Sequence, residues 1–258
     1  MKVGVIGGGG GLAASLEAAG IEVVGCPAGG QAVDPGIEQV GQYRDFLDAL
    51  DYPRRYVLDL PPGAAIDTVI DEAYQTMEPG DVVLDPTASY WGDTLRRYRR
   101  MRHRSLFYQD MARLNGPEGA LLAVSGDAKG LTLTTDLLEA WSAPGELRAI
   151  AGAGFAHYLA VVQAAAIAAR RQLEGEINQL VEAYPGEVDE ADRAGFCVDL
   201  APLDIARAGW LLDDAVRLEA AVPLLAHAVM QGICEALEAH ESMPPLPRGA
   251  FVHPDDIL

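Results

Sequence analysis

The chain opens on a short apolar run, residues 2–6 (KVGVI), of the continuous β-branched kind that forms a buried parallel strand. Five glycines follow at 7–11, then an Ala-rich helical segment at 12–19, a Gly20 stop and a second strand at 21–24. The alternation continues. Residues 31–40 predict a turn and short helix, and 43–50 another short helix. Residues 56–60 predict a strand running into Pro61, Pro62 and Gly63, 64–77 a helix, and 82–84 a strand entered through Pro79-Gly80-Asp81. A loop at 85–89 leads to a helix at 93–104, strands at 105–109 and 121–124, a turn at 126–130 and a helix at 131–141. Such alternation predicts an α/β fold built on a doubly wound sheet, with ligands at the carboxyl ends of the strands.

Beyond Gly152 the pattern becomes Ala-rich and helical. Residues 155–183 contain no proline and one glycine. As a single helix they would be about 43 Å long at 1.5 Å per residue. That exceeds what one small domain covers and points to a partner chain. Helices at 203–218 and 222–240 follow, and a proline-rich extended tail at 241–258. The expected organisation is therefore a nucleotide-binding type of domain at 1–150 and an all-α domain with a tail at 151–258.

The glycine run is the first candidate site. Strand, glycine turn, helix and strand form half of a dinucleotide-binding, Rossmann-type unit, in which backbone N–H groups approach a pyrophosphate at a helix N-terminus. Gly7, Gly8, Gly9 and Gly10 are the candidate cofactor-binding residues. The third glycine place falls on Leu12, or on Ala13 in the shifted register. The second strand should end in an Asp or Glu for ribose hydroxyls, or an Arg for a 2′-phosphate. Gly25, Cys26, Pro27, Ala28, Gly29 and Gly30 stand there instead. The turn is shaped for a nucleotide without the usual anchors.

Composition narrows the classes. A chain of 258 residues suits one large domain or two modest ones. No apolar run approaches the ~20 residues of a membrane span. No secretory signal is visible, and Cys26, Cys197 and Cys234 show neither metal nor redox spacing, so a cytoplasmic location and no metal are expected. The net charge of −19 argues against nucleic-acid binding.

Several segments resemble the 6-phosphogluconate dehydrogenase family within the β-hydroxyacid dehydrogenases. They are MKVGVIG at 1–7, LDLPPG at 58–63, MEPGDVVLDPTASYWGDTLRR at 77–97, VSGDAKG at 124–130 and AGAG at 151–154. GWLLDD at 209–214 and AAVPLLAHAVMQ at 220–231 continue the match. The resemblance implies NAD or NADP, oxidation of a sugar-acid hydroxyl followed by decarboxylation, and a helical domain that pairs subunits as a homodimer. It adds Leu60, Pro61 and Ala88 to the cofactor-binding candidates and Ser89 to the substrate site. It also implies a lysine general base, needed because hydride leaves the carbinol carbon only as its hydroxyl proton is removed.

That requirement is not met in sequence. The chain has two lysines, Lys2 in the first strand and Lys129 in a turn. The base position falls on Tyr158, or on Ala160 with a one-residue slip, and the adjacent Asn on Val162 or Ala164. The other loop's Asn becomes Ala88, and the Ser-Gly-Gly substrate loop shrinks to about 111–116 (MARLNG). Four lost places predict a noncatalytic or regulatory protein with weak NAD(P) binding. The alternative is an NAD(P)H-dependent imine or keto-acid reductase with Tyr158 as proton donor. A scaffold without a ligand is the third reading. His157, turned about 100° from Tyr158, is expected to be a structural or a surface histidine. Asp59 would repel a pyrophosphate if it faces the cleft and would bond a neighbouring loop if it faces outward. Thr87 and Ser89 read as ligand contacts or loop caps. Arg96, Arg97, Arg99, Arg100, Arg102 and Arg104 predict a solvated helix end paired to acidic neighbours.

Overall fold

The computed structural model describes residues 1–116, 119–182, 189–196, 204–217 and 221–239. In chain order the elements are β1 (Lys2–Gly7), α1 (Leu12–Ala18), β2 (Glu22–Cys26), β3 (Glu38–Gln39), a 3-10 turn (Tyr43–Asp45), α2 (Phe46–Ala49), β4 (Arg55–Asp59) and α3 (Ala64–Ala73). Then come β5 (Val82–Asp85), α4 (Trp91–Arg102), β6 (Phe107–Gly116), β7 (Gly119–Gly126), α5 (Ala128–Trp141) and β8 (Leu147–Ala151). The chain continues with α6 (Phe155–Glu182), α7 (Glu190–Phe196), α8 (Ile205–Arg217) and α9 (Pro223–Glu238). The chain forms two compact units, Met1–Ala160 and one that begins at Val161.

The first unit is the expected doubly wound α/β sheet, in the order β3-β2-β1-β4-β5-β6-β7-β8. Strands β1 to β6 run parallel; β7 is antiparallel to β6, and β8 follows β7. Alternation along each strand feeds two cores. Ile6, Tyr56 and Leu58 face one core with Phe46, Ile66, Ile70 and Met101, while Val3, Val5 and Val57 face the other with Leu16, Leu131 and Leu137. The second unit packs Ala165, Ala168, Ala208, Leu225, Ala228 and Val229 from α6, α8 and α9. Among the described residues no helix is long and apolar enough to cross a membrane.

Several expectations change. Residues 31–40 form no helix: Pro35 disfavours helical backbone at Asp34, Gly36 has φ +94°, and the segment pairs with β2 through β3. The helix expected to reach residue 77 stops at Ala73. Residues 111–116, expected as a shortened substrate loop, belong to β6 and pair with β7 from Met111↔Val124 to Gly116↔Gly119. Strand β8 and helix α7 were not foreseen. The tail expected at 241–258, Cys197 and the helix ends at 203, 218 and 240 lie outside the described residues.

The passage from sheet to α6 rests on a buried carboxylate. Asp110 of β6 accepts from Gly154 N–H at 2.7 Å, His157 N–H at 3.0 Å and Ser125 Oγ at 2.7 Å. Ser125 Oγ in turn accepts from Ala156 N–H at 3.0 Å. A helix start leaves N–H groups unpaired, and here a fully buried side chain meets them. Asp110→Ala strands these donors and is expected to lower stability by roughly 2–4 kcal/mol, with Asp110→Asn losing less. Urea denaturation followed by circular dichroism checks this, and an unchanged midpoint would contradict it.

Candidate functional site

Strand order reverses between β1 and β4, and in doubly wound sheets ligands bind at such a switch point. The glycine turn leaves β1 there, facing the end of β4 in the register Gly7↔Asp59. Gly7 has φ +101°, and a Cβ on it would stand 2.1 Å from the Asp59 carbonyl oxygen, so only glycine fits. A Cβ on Gly8 would stand 2.3 Å from the Ala32 oxygen and 2.8 Å from Val33 Cα. The loop of residues 27–37 therefore lies directly on the turn.

The N–H groups of Gly8, Gly9 and Gly10 are already engaged. Gly8 N–H donates to the Asp59 carbonyl at 2.9 Å. Gly9 N–H donates to Asp34 Oδ1 at 3.1 Å, and Gly10 N–H to Asp59 Oδ2 at 3.3 Å. The Leu12 N–H also bonds the Asp59 carboxylate. Of the two orientations open to Asp59, the side chain takes the one toward the glycine turn. Its acidity reflects the crowding: burial raises its pKa and the nearby Asp34 charge adds to this, while the Gly10 and Leu12 N–H groups pull it down without cancelling the rise. Asp34 Oδ2 is buried with no hydrogen-bond partner among the described residues. Sequence reasoning missed Asp34, which lies well past the end of β2 and reaches the turn only because the loop folds back.

A second cluster fixes the loop of residues 85–89. Asp85, fully buried at the end of β5, accepts from Thr87 N–H at 2.9 Å, from the Thr87 hydroxyl and from the Tyr108 hydroxyl. Thr87 and Ser89 hydroxyls lie 2.7 Å apart. Arg97 Nη1 donates to Ser89 Oγ at 2.9 Å and stands 3.8 Å from Asp85 Oδ2. Its Nε donates to Asp67 Oδ1 at 3.0 Å and its Nη2 to the Gly63 carbonyl at 3.2 Å. Arg97 is 1% exposed, which corrects the solvated reading for this member of the arginine cluster. Its neighbours do meet acidic side chains: Arg96 pairs with Asp67 and Asp93, and Arg100 with Asp71. Burial lifts the Asp67 carboxyl, but the hydrogen bonds and charges of Arg97 and Arg96 outweigh it and hold its pKa below the usual value.

The remaining candidates scatter. Leu60 is buried against Gly7 and Gly29, Pro61 is exposed, and Ala88 is half-buried. Ser89 is 4% exposed with its hydroxyl committed to Thr87 and Arg97. Of the two roles expected for His157, structural or surface, it takes the structural one: Nε2 donates to the Asp85 carbonyl at 3.1 Å, and Nδ1 pairs with Thr94 Oγ1 at 2.7 Å. Tyr158, on the first turn of α6, is half-buried, its ring edge-on to Trp91 with centroids 5.5 Å apart. Among the described residues nothing hydrogen-bonds its hydroxyl. Lys2, at the start of β1, pairs with Glu38 at 2.9 Å. Lys129 lies over the ring of Phe107, at the start of β6. Since β1 and β6 run in the same direction, both lysines stand at the sheet edge opposite the glycine turn.

Comparison with known proteins adds kinship. A family model for the NAD binding domain of 6-phosphogluconate dehydrogenase matches residues 2–154. A decarboxylating 6-phosphogluconate dehydrogenase of Bacillus licheniformis is 36% identical over 93 residues, 36% of this chain and 19% of that protein. The chain spans from 19% to 36% of the length of such curated relatives. Among solved structures, a 3-hydroxyisobutyrate dehydrogenase of Mycobacterium tuberculosis superposes with a TM-score of 0.67 at 16% identity, over 92% of this chain and 94% of that one. An imine reductase of Streptomyces aurantiacus gives 0.55 at 16% identity, over 94% and 89%. At those identities the likeness is one of fold.

The raised pKa of Asp59 carries a signed consequence for stability. Folding favours its protonated form, so stability falls as pH rises from the ordinary carboxylate range through the folded-state value, and stays lower above it. Asp59→Asn removes that dependence. The variant is expected to melt higher than the parent chain at pH 7.5 and to lose most of this advantage at pH 4. Calorimetry at the two values checks it, and a lower melting temperature at pH 7.5 would refute the assignment.

Proposed function

This chain belongs to the family of the NAD binding domain of 6-phosphogluconate dehydrogenase, and on that premise we propose a diverged member that does not oxidise 6-phosphogluconate and serves a noncatalytic, regulatory role. One observation carries the reading: the two lysines of the chain lie at the sheet edge opposite the glycine turn, Lys2 tied to Glu38 and Lys129 over Phe107. An alcohol gives up hydride only when a base takes its proton, and neither ammonium group is placed for that. The loop at 85–89 supports the same reading. Its Ser89 hydroxyl serves Arg97 and Thr87, and Ala88 offers no polar group.

The family brings NAD(P) as the cofactor class, and the nicotinamide would supply a hydride acceptor or donor. The backbone of the turn fits a pyrophosphate in conformation; its side-chain surroundings do not, because Asp34 and Asp59 hold the Gly9, Gly10 and Leu12 donors. We therefore expect weak dinucleotide binding and route no chemical step through it. A second copy of the chain is the expected partner, paired through the helical unit. In support, α6 runs for 28 residues, and Leu173, Leu224, Met230 and Leu237 are exposed. Light scattering is expected to find twice the 27.4 kDa chain mass.

The half-buried Tyr158, its ring edge-on to Trp91 and its hydroxyl without a hydrogen bond among the described residues, favours the reductase as the second reading. The two are separated by turnover. Purified chain with NAD or NADP is expected to leave 6-phosphogluconate unchanged; measurable oxidation would overturn the first reading. Cofactor oxidation in the presence of a cyclic imine or a keto acid, lost at least a hundredfold in Tyr158→Phe, would establish the second.

A further inference from the structure

We propose that the glycine turn is held closed against phosphate groups by the chain's own carboxylates, with Asp59 as internal occupant and Asp34 tying the loop of residues 27–37 over it. The inference rests on the turn being the nucleotide site that the proposed function assumes. A dinucleotide pyrophosphate is bound at such a turn by backbone N–H groups. Here Gly9 N–H bonds Asp34 at 3.1 Å, and Gly10 and Leu12 N–H bond Asp59. Two carboxylates hold N–H donors of the kind a pyrophosphate uses.

The arrangement is not explained by stability. The turn carries two carboxylates, close enough for the charge of Asp34 to act on Asp59 and raise its pKa. Asp34 Oδ2 is buried without a hydrogen-bond partner among the described residues, which costs free energy. The loop that delivers Asp34 is seated on Gly8, its backbone in the space a Cβ would need. A phosphate can reach the Gly9, Gly10 and Leu12 donors only by displacing both carboxylates and then lying beside their charge. Loss of the Asp59 charge alone should therefore admit ligands that carry phosphate, and leave unchanged the binding of a ligand that carries none.

Titration calorimetry on the full chain tests this with NADH and ADP as phosphate-bearing probes and adenosine as the phosphate-free one. Asp59→Asn is expected to bind NADH and ADP at least tenfold more tightly than the parent chain, with adenosine within twofold. Asp34→Asn should give a smaller gain in the same direction. NADH binding no tighter in a cooperatively melting Asp59→Asn chain overturns the proposal, as does an equal gain for adenosine, which would indicate a general loosening of the site rather than lost charge. Should the Asn variant not fold, Asp59→Ser supplies the same comparison with the same two outcomes. Unchanged NADH binding with no turnover of 6-phosphogluconate sinks this inference alone; turnover by the parent chain sinks the proposed function whatever the variants bind.

Discussion

Where β1 meets β4 there is no room for a side chain. The Gly7 backbone lies so close to the Asp59 carbonyl that a single methyl would overlap it, and this approach sets much of the architecture. It lets the chain leave β1 in a left-handed turn, brings Gly8 N–H onto the Asp59 carbonyl, and swings the Asp59 carboxylate across the turn toward Gly10 and Leu12. The close seam that makes the sheet compact at its switch point also makes the last residue of β4 the immediate neighbour of any ligand there. An apolar residue at 59 would leave the Gly10 and Leu12 N–H donors open; an acid fills them.

Most of the first unit could be read from spacing alone. Continuous apolar runs marked β1, β4 and β5 because both faces of those strands are covered. The run at 147–151 gave no such signal: it is the edge strand β8, carries Arg148 and is partly exposed. Residues 31–40 misled because their apolar positions suit a helix, whereas Pro35 and Gly36 decide the backbone. Residues 111–116 misled for a different reason, a resemblance that suggested a loop where an alternating strand pattern was present.

The site was legible in its backbone and much less so in its side chains. Five consecutive glycines between a strand and a helix announce the turn, but no local rule brings Asp34 back to it, since that contact comes from loop closure. Asp59 was conspicuous as an acid in an apolar strand, and only coordinates could say which way it points. Arg97 left a trace that composition hid. Thr94, Arg97, Tyr98 and Met101 follow a three-and-four spacing, and all four are buried on one face of α4. Reading the arginines as a charge run rather than by helical phase concealed the one that anchors the 85–89 loop.

That anchoring bears on how such a chain could change over generations. Asp85, Thr87, Ser89, Tyr108 and Arg97 hold one another, so replacing any one of them leaves partners unsatisfied in a dry interior. Ala88 sits in the same loop outside the hydrogen-bonded set and is partly open to solvent. Variation in this loop therefore has an inexpensive entry point at residue 88, a position where a polar group can be tried without disturbing the rest, while the hydrogen-bonded residues are locked into joint inheritance.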